Sequence, residues 1–265
     1  MKFYPKSGAE ALILCPMKII LSPAKLMRPH PVAYSGKMRF KKQTDILLST
    51  LKNWTISDYV ARMNLSPEKG QETYQMIQQW GSKKNKVNSA PALYAYIGEA
   101  FKALDADQLK EEGQAYLTAH LFILSGLYGV LRANDCVEPY RLEMAQRGVA
   151  PDGQSLLAFW RNDVEKYLLK ELQKEEPILN LASTEYSDLI QAPRLRERMY
   201  TPYFFEAKNG QLKTVSVFSK QARGTMARWC ATHLIEAPTD IKKFDELGYR
   251  YSPEKSSEME LVFIR

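Results

Sequence analysis

A single mixed α/β domain is the fold class predicted by this chain, on three observations. Short apolar runs of strand length and segments of helical periodicity alternate from one end to the other instead of segregating. No repeat, linker or low-complexity stretch divides them. The length of 265 residues, with 45% hydrophobic and 25% charged residues, is ordinary globular usage. A chain this long buries a core without needing disulfides or a metal.

The elements follow in order. Residues 1–16 read as an extension, with the domain running from Met17 to Arg265. Lys18–Leu21 is a strand that stops at the polar turn Ser22-Pro23-Ala24-Lys25. Ile46, Leu47, Leu51 and Trp54 have helical spacing. Ser66 and Pro67 form a helix start, as cap and first helical residue, and Gly81 closes that helix. Pro91–Ile97 reads as extended. A helix within Asp105–Ala119, capped by Asp105 or Asp107, leads into the strand Leu121–Leu124. Ser155–Leu172 is the clearest amphipathic helix. Pro177–Leu181 is a strand, with Ser183 capping a short helix after it. Tyr200–Phe205 and Leu212–Phe218 form a hairpin through Lys208-Asn209-Gly210. Gln221–Ile235 is helical, and Glu260–Ile264 is the last strand.

The three cysteines, Cys15, Cys136 and Cys230, make no paired motif, which argues against a disulfide scaffold. His30, His120 and His233 are isolated, so no metal site is spelled out, and His120 reads as a satisfied residue at the core edge. No apolar run reaches membrane-spanning length. The expectation is a cytoplasmic protein with no cofactor, no metal and no membrane partner.

The net charge of +7 is modest, but it is unevenly placed. Met17–Gln43 carries seven Lys and Arg and no carboxylate, and Pro193–Cys230 carries eight against two. Three predicted strands end in polar turns, and ligands of open α/β sheets bind beside the carboxyl ends of strands. Lys25 there can neutralise a phosphate as a point charge. Ser125-Gly126-Leu127-Tyr128-Gly129 offers backbone amides, like the hairpin of helix–hairpin–helix DNA-binding elements but with Gly-x-x-Gly spacing. Arg132, Asp135, Arg141 and Glu143 follow it, either as anion-site residues or as an ion-pair network that stiffens the fold. Asn180, Glu185 and Tyr186 gather at another strand end. Lys220, Arg223 and Arg228 lie early on a helix, where cations oppose the helix dipole and an anion would relieve the conflict.

Taken as an ordered set, these segments resemble the bacterial YaaA family of peroxide stress proteins. The matching stretches are Ser22–Lys25, Leu124–Arg132 with Pro139–Met144, Asn180–Ser183 with Glu185-Tyr186, and Lys220 through Arg228. Gly248-Tyr249 and Glu260–Phe263 fit as well. The chain differs from the family pattern at Arg132-Ala133-Asn134-Asp135 and at Phe218-Ser219-Lys220. The resemblance implies an unusual α/β topology with a helix–hairpin–helix-like element. It also implies a role in hydrogen peroxide stress, binding of double-stranded DNA in a positive cleft, and limitation of free iron; binding without sequence specificity is the leading expectation. Lys25, Arg132, Arg141, Lys220, Arg223 and Arg228 are the expected phosphate contacts, with amides from Ser125, Gly126 and Gly129.

The alternative is an enzyme acting on a nucleotide or nucleic-acid base. Its candidates are Ser125, Tyr128, Asp135, Glu143, Asn180, Glu185 and Tyr186, a mixture of carboxylates and hydroxyls suited to acid–base work. No nucleophile–base pair is defined by spacing, so no reaction is assigned.

Overall fold

The computed structural model of the protein describes residues 16–31, 36 and 38–265, so all but the last residue of the expected extension lies outside the described residues. Its strands are β1 (Lys18–Leu21), β2 (Ala90–Pro91), β3 (Leu121–Ser125), β4 (Gly129–Arg132), β5 (Cys136–Val137), β6 (Ile178–Leu181), β7 (Met199–Lys208), β8 (Gln211–Lys213), β9 (Arg250–Tyr251) and β10 (Glu260–Ile264). Eight of these form one mixed sheet in the order β4-β3-β1-β6-β7-β10-β9, with β8 paired to β7. β2 and β5 form a separate two-stranded ribbon.

The five strands β3-β1-β6-β7-β10 are mutually parallel. Numbered along the chain among themselves they run 2-1-3-4-5, a common order of doubly wound sheets. Parallel strands are covered on both faces, and the composition shows it. Every residue of β3 and β6 is buried, as are Ile19, Ile20 and Leu21 of β1. The antiparallel strands β4, β9 and β8 are added at the margins.

Helix starts obey their local chemistry. Ser66 Oγ accepts from the Lys69 amide with Pro67 at the first helical position, opening Pro67–Gln78. Ser155 does the same for Leu156–Glu171, accepting from Ala158. The indole of Trp160 in that helix donates to the Gly126 carbonyl at 2.8 Å, tying it to the β3–β4 turn. His120 is satisfied as its sequence position predicts: Nδ1 donates to the Met17 carbonyl at 2.8 Å, and the ring stacks on Tyr116. Asn209 and Gly210 both have positive φ, the backbone a tight two-residue hairpin demands.

Four local expectations change. Pro91–Ile97 is extended only at its start, and Ala92–Ala95 is a helical turn. The amides of Ala92 and Leu93 donate to the Asp135 and Ala133 carbonyls, which draws the chain out of a strand path. Neither Asp105 nor Asp107 caps a following helix. Asp105 sits in the left-handed region at the end of Glu99–Leu104, and Asp107 is held by Arg28 and His30. The return strand of the hairpin ends at Lys213, because the last long helix, Ser216–His233, already begins at Ser216. Ser183 stands at the head of its short helix without a side-chain cap, its hydroxyl being committed elsewhere.

Candidate functional site

A cleft of about 430 Å³ opens at the carboxyl ends of β1 and β6. Its floor is made where those strands stop. Ser22, directly after β1, accepts the Ser183 amide at 2.8 Å, and the two hydroxyls lie 3.2 Å apart. One wall is the segment Ile97–Lys102, a second is Tyr140–Glu143, and a third is the first half of Ser216–His233 with Lys220 and Arg223.

Two glycines set these walls. A Cβ at Gly224 would overlap the Ala100 carbonyl oxygen, so only glycine lets the long helix lie this close to Glu99–Leu104. A Cβ at Gly126 would lie 2.5 Å from the Leu142 carbonyl oxygen, so the β3–β4 turn backs directly onto the Tyr140–Glu143 wall.

The charges of the cleft are unequally served. Each carboxylate has a partner: Glu143 pairs with Lys25 at 2.8 Å, Glu99 accepts from Gln221 and Lys102, and Glu185 Oε1 accepts the Ala145 amide. Among the described residues, the side chains of Arg141 and Arg223 form neither a hydrogen bond nor an ion pair, and Lys220 forms none but lies near enough to Glu99 to lower its pKa. Five arginines bury an Nε that has no hydrogen-bond partner. Three of them, Arg132, Arg161 and Arg198, satisfy a terminal nitrogen on Glu171, the Asp188 carbonyl and the Gln173 carbonyl respectively. Arg141 and Arg223 satisfy none. Burial presses the Arg223 pKa downward, opposed only by Tyr203. A guanidinium stays charged regardless, so a desolvated cation faces the cleft without a counter-ion. Unsatisfied buried donors of this kind mark a place for an anion.

Behind the floor runs a chain of hydroxyls. Tyr96 and Tyr140 meet at 3.0 Å, Tyr140 meets Ser125 Oγ at 2.8 Å, and Ser125 Oγ accepts the Leu127 and Tyr128 amides. Burial raises the phenols of Tyr96, Tyr128 and Tyr186, and pushes Tyr140 up to about 12. All four are therefore neutral near pH 7 and act as hydrogen-bonding groups, not as bases.

The cleft thus gathers Lys25, Arg141, Lys220, Arg223, Glu143, Glu185 and Tyr186 from the residues expected on sequence grounds. The others lie elsewhere. Arg132 is at the far end of the sheet, because β4 runs antiparallel to β3 from the Ser125–Gly129 pair down to Phe122–Arg132. There it pairs with Glu171 and lies over the Phe122 ring. Arg228 donates to the Leu104 and Asp105 carbonyls and closes the end of the Glu99–Leu104 helix. Asp135 is buried against Arg39 and the Arg132 amide, away from the cleft. Asn180 is spent inside, its Oδ1 accepting from Ala182 and its Nδ2 donating to Thr201.

The turn Ser125–Gly129 is buried throughout. It joins two strands, and Ser125 takes two of its amides. Tyr128 exchanges hydrogen bonds with the Glu138 backbone, and Gly129 lies against the Trp160 ring. No helix–hairpin–helix-like element is formed at these residues.

Sequence reasoning did not single out Tyr140 or the Ile97–Lys102 wall. Tyr140 adjoins Arg141 in a segment that was noted for its charges. The wall has no charge excess, and only the close approach at Gly224 places it.

Among the described residues, no three His, Cys, Asp or Glu side chains come together as metal ligands would, and no helix is long and apolar enough to cross a membrane.

Comparison with known proteins agrees with the ordered motifs. The family model described as peroxide stress protein YaaA matches residues 17–255. A UPF0246 protein of Janthinobacterium sp. (strain Marseille) is 37% identical over 254 residues, covering 94% of this chain and 98% of its own. UPF0246 proteins of Bordetella petrii and Rickettsia bellii are 36% and 34% identical, each over 94% of this chain and 99% and 100% of their own.

Proposed function

The chain belongs to the peroxide stress protein YaaA family, and we propose that it serves that stress as a cytoplasmic protein binding double-stranded DNA phosphates at the cleft. Limitation of free iron is the cellular outcome we attach to this role. One observation supports the reading above others: Arg141 and Arg223 line one cleft and, among the described residues, neither guanidinium has a hydrogen-bond or ion-pair partner, with Lys220 beside them. Phosphate is an anion that arginine forks fit bidentately, and phosphate contacts carry no sequence information. Lys25 and Lys102 add two further cations, held by Glu143 and Glu99 respectively. Arg132 and Arg228 drop out of the expected contact set, being committed to Glu171 and to helix-end carbonyls.

The test is titration of the protein against two labelled duplexes of unrelated sequence over a range of salt. Equal affinities that fall together as salt rises support the reading. Binding that ignores salt, or that holds for only one sequence, contradicts it.

A further inference from the structure

The position of the cleft in the topology sharpens what it can hold. From β1 the chain crosses to β3 on one side, then passes back over β1 to β6 on the other. In open parallel sheets the crevice where crossovers diverge, outside the carboxyl ends of the strands, is where ligands bind. Here that crevice is the seam between β1 and β6, bridged by Ser22 and Ser183. The cleft lies directly on it.

Its size then discriminates. A volume of about 430 Å³ is that of a small-molecule pocket. A B-form duplex, whose major groove alone is about 12 Å wide, is too large to enter such a cleft and can offer it only backbone phosphates. The interior is also richer than phosphate binding requires. Ile97, Leu142 and the buried rings of Tyr140 and Tyr186 add apolar surface to the lining that carries Arg141, Lys220 and Arg223. Glu185 spends one carboxylate oxygen on the Ala145 amide and keeps the other as an acceptor at the wall.

We propose that the cleft accommodates one nucleoside phosphate, its phosphate on Arg141, Arg223 and Lys220 and its base on the apolar surface of the lining. Glu185 accepts a hydrogen bond from an exocyclic amine, which favours adenine over thymine. This rests on the cleft being an anion site. The same chemistry has two sources, a free mononucleotide or a nucleotide turned out of a DNA stack, as enzymes that act on bases require.

The experiment measures binding of dAMP, dTMP, deoxyribose 5-phosphate and inorganic phosphate to the full chain. In parallel, duplex DNA carrying 2-aminopurine is titrated with protein. A base seated on apolar and aromatic surface gains enough for dAMP to bind about tenfold or more tightly than deoxyribose 5-phosphate. Arg223→Gln weakens binding of all four compounds, and Glu185→Gln narrows the gap between dAMP and dTMP. A rise in 2-aminopurine emission identifies DNA as the source, and flat emission with tight dAMP binding identifies the free nucleotide. Equal, weak binding of all four compounds to the unaltered protein overturns the proposal, whatever the variants do. In that case, duplex affinity that still depends on Arg141 and Arg223 leaves the DNA reading intact, so the two failures are separable.

Discussion

Lys25 Nζ donates to Glu143 Oε2 at 2.8 Å across the rim of the cleft, joining the turn after β1 to the Tyr140–Glu143 wall. Both side chains are substantially exposed, so the pair contributes little to stability. Its effect is on the field of the cleft, where Glu143 neutralises one of the five cations of the lining. Glu143→Gln releases Lys25 for phosphate. Anisotropy titrations are expected to show duplex affinity rising about two- to fivefold at low salt. The salt dependence steepens by roughly one phosphate contact. Unaltered affinity would place Lys25 outside the binding surface.

Arg228 and Arg223 lie five residues apart on one helix and have different work. Arg228 holds the Leu104 and Asp105 carbonyls, at 3.2 and 2.8 Å. Arg228→Gln is expected to cost about 1–2 kcal/mol in urea denaturation. The salt slope of DNA binding should stay the same. A flattened slope with no loss of stability would return Arg228 to the contact set.

Gly224 is required by contact rather than by backbone conformation. Gly224→Ala sets a methyl group against the Ala100 carbonyl, which belongs to main chain and cannot swing aside. Overpacking of this kind costs about 1–3 kcal/mol, read as a lower urea midpoint. It should also weaken DNA binding, because Lys220 and Arg223 shift with the helix. A variant as stable as the parent would mean the two helices separate freely.

His120 gives stability a pH dependence. Burial lowers its pKa below the ordinary 6.5, outweighing the hydrogen bond to Met17 that raises it. Between the lowered value and the unfolded value, the unfolded chain binds more protons, so stability rises with pH there. It is full above about pH 6.5 and declines as the pH falls through that window. His120→Gln should flatten the decline, measured as urea midpoints at about pH 7 and pH 5.5. An equal decline in the variant would assign it to other groups.

The central strands were legible because they are continuous apolar runs bounded by turn residues, as at Leu121–Ser125 and Ile178–Leu181. Capped helices were legible for the same local reason, as at Ser66 and Ser155. Charge and motif order pointed to the strand ends at which Arg141, Lys220 and Arg223 share a cleft. Arg132 could not be placed from its neighbours in sequence. Its position depends on the reversal of β4, which carries it away from the strand ends where Ser125 remains. Ser125 itself looked available beside two glycines, yet its hydroxyl is the internal partner of the very turn it begins. The Ile97–Lys102 wall reaches the site only through long-range packing against the last long helix, which no local pattern records.

Arg141 and Arg223 are the guanidinium cations without a partner in the cleft, and the proposed function has them meet phosphate. The most direct measurement is the slope of log affinity against log salt for the parent and for the Arg141→Gln, Arg223→Gln double variant. Each lost phosphate contact reduces the slope by roughly 0.9. The double variant should therefore lose a little under two units while remaining folded. A slope equal to that of the parent, in a folded protein, would contradict the claim.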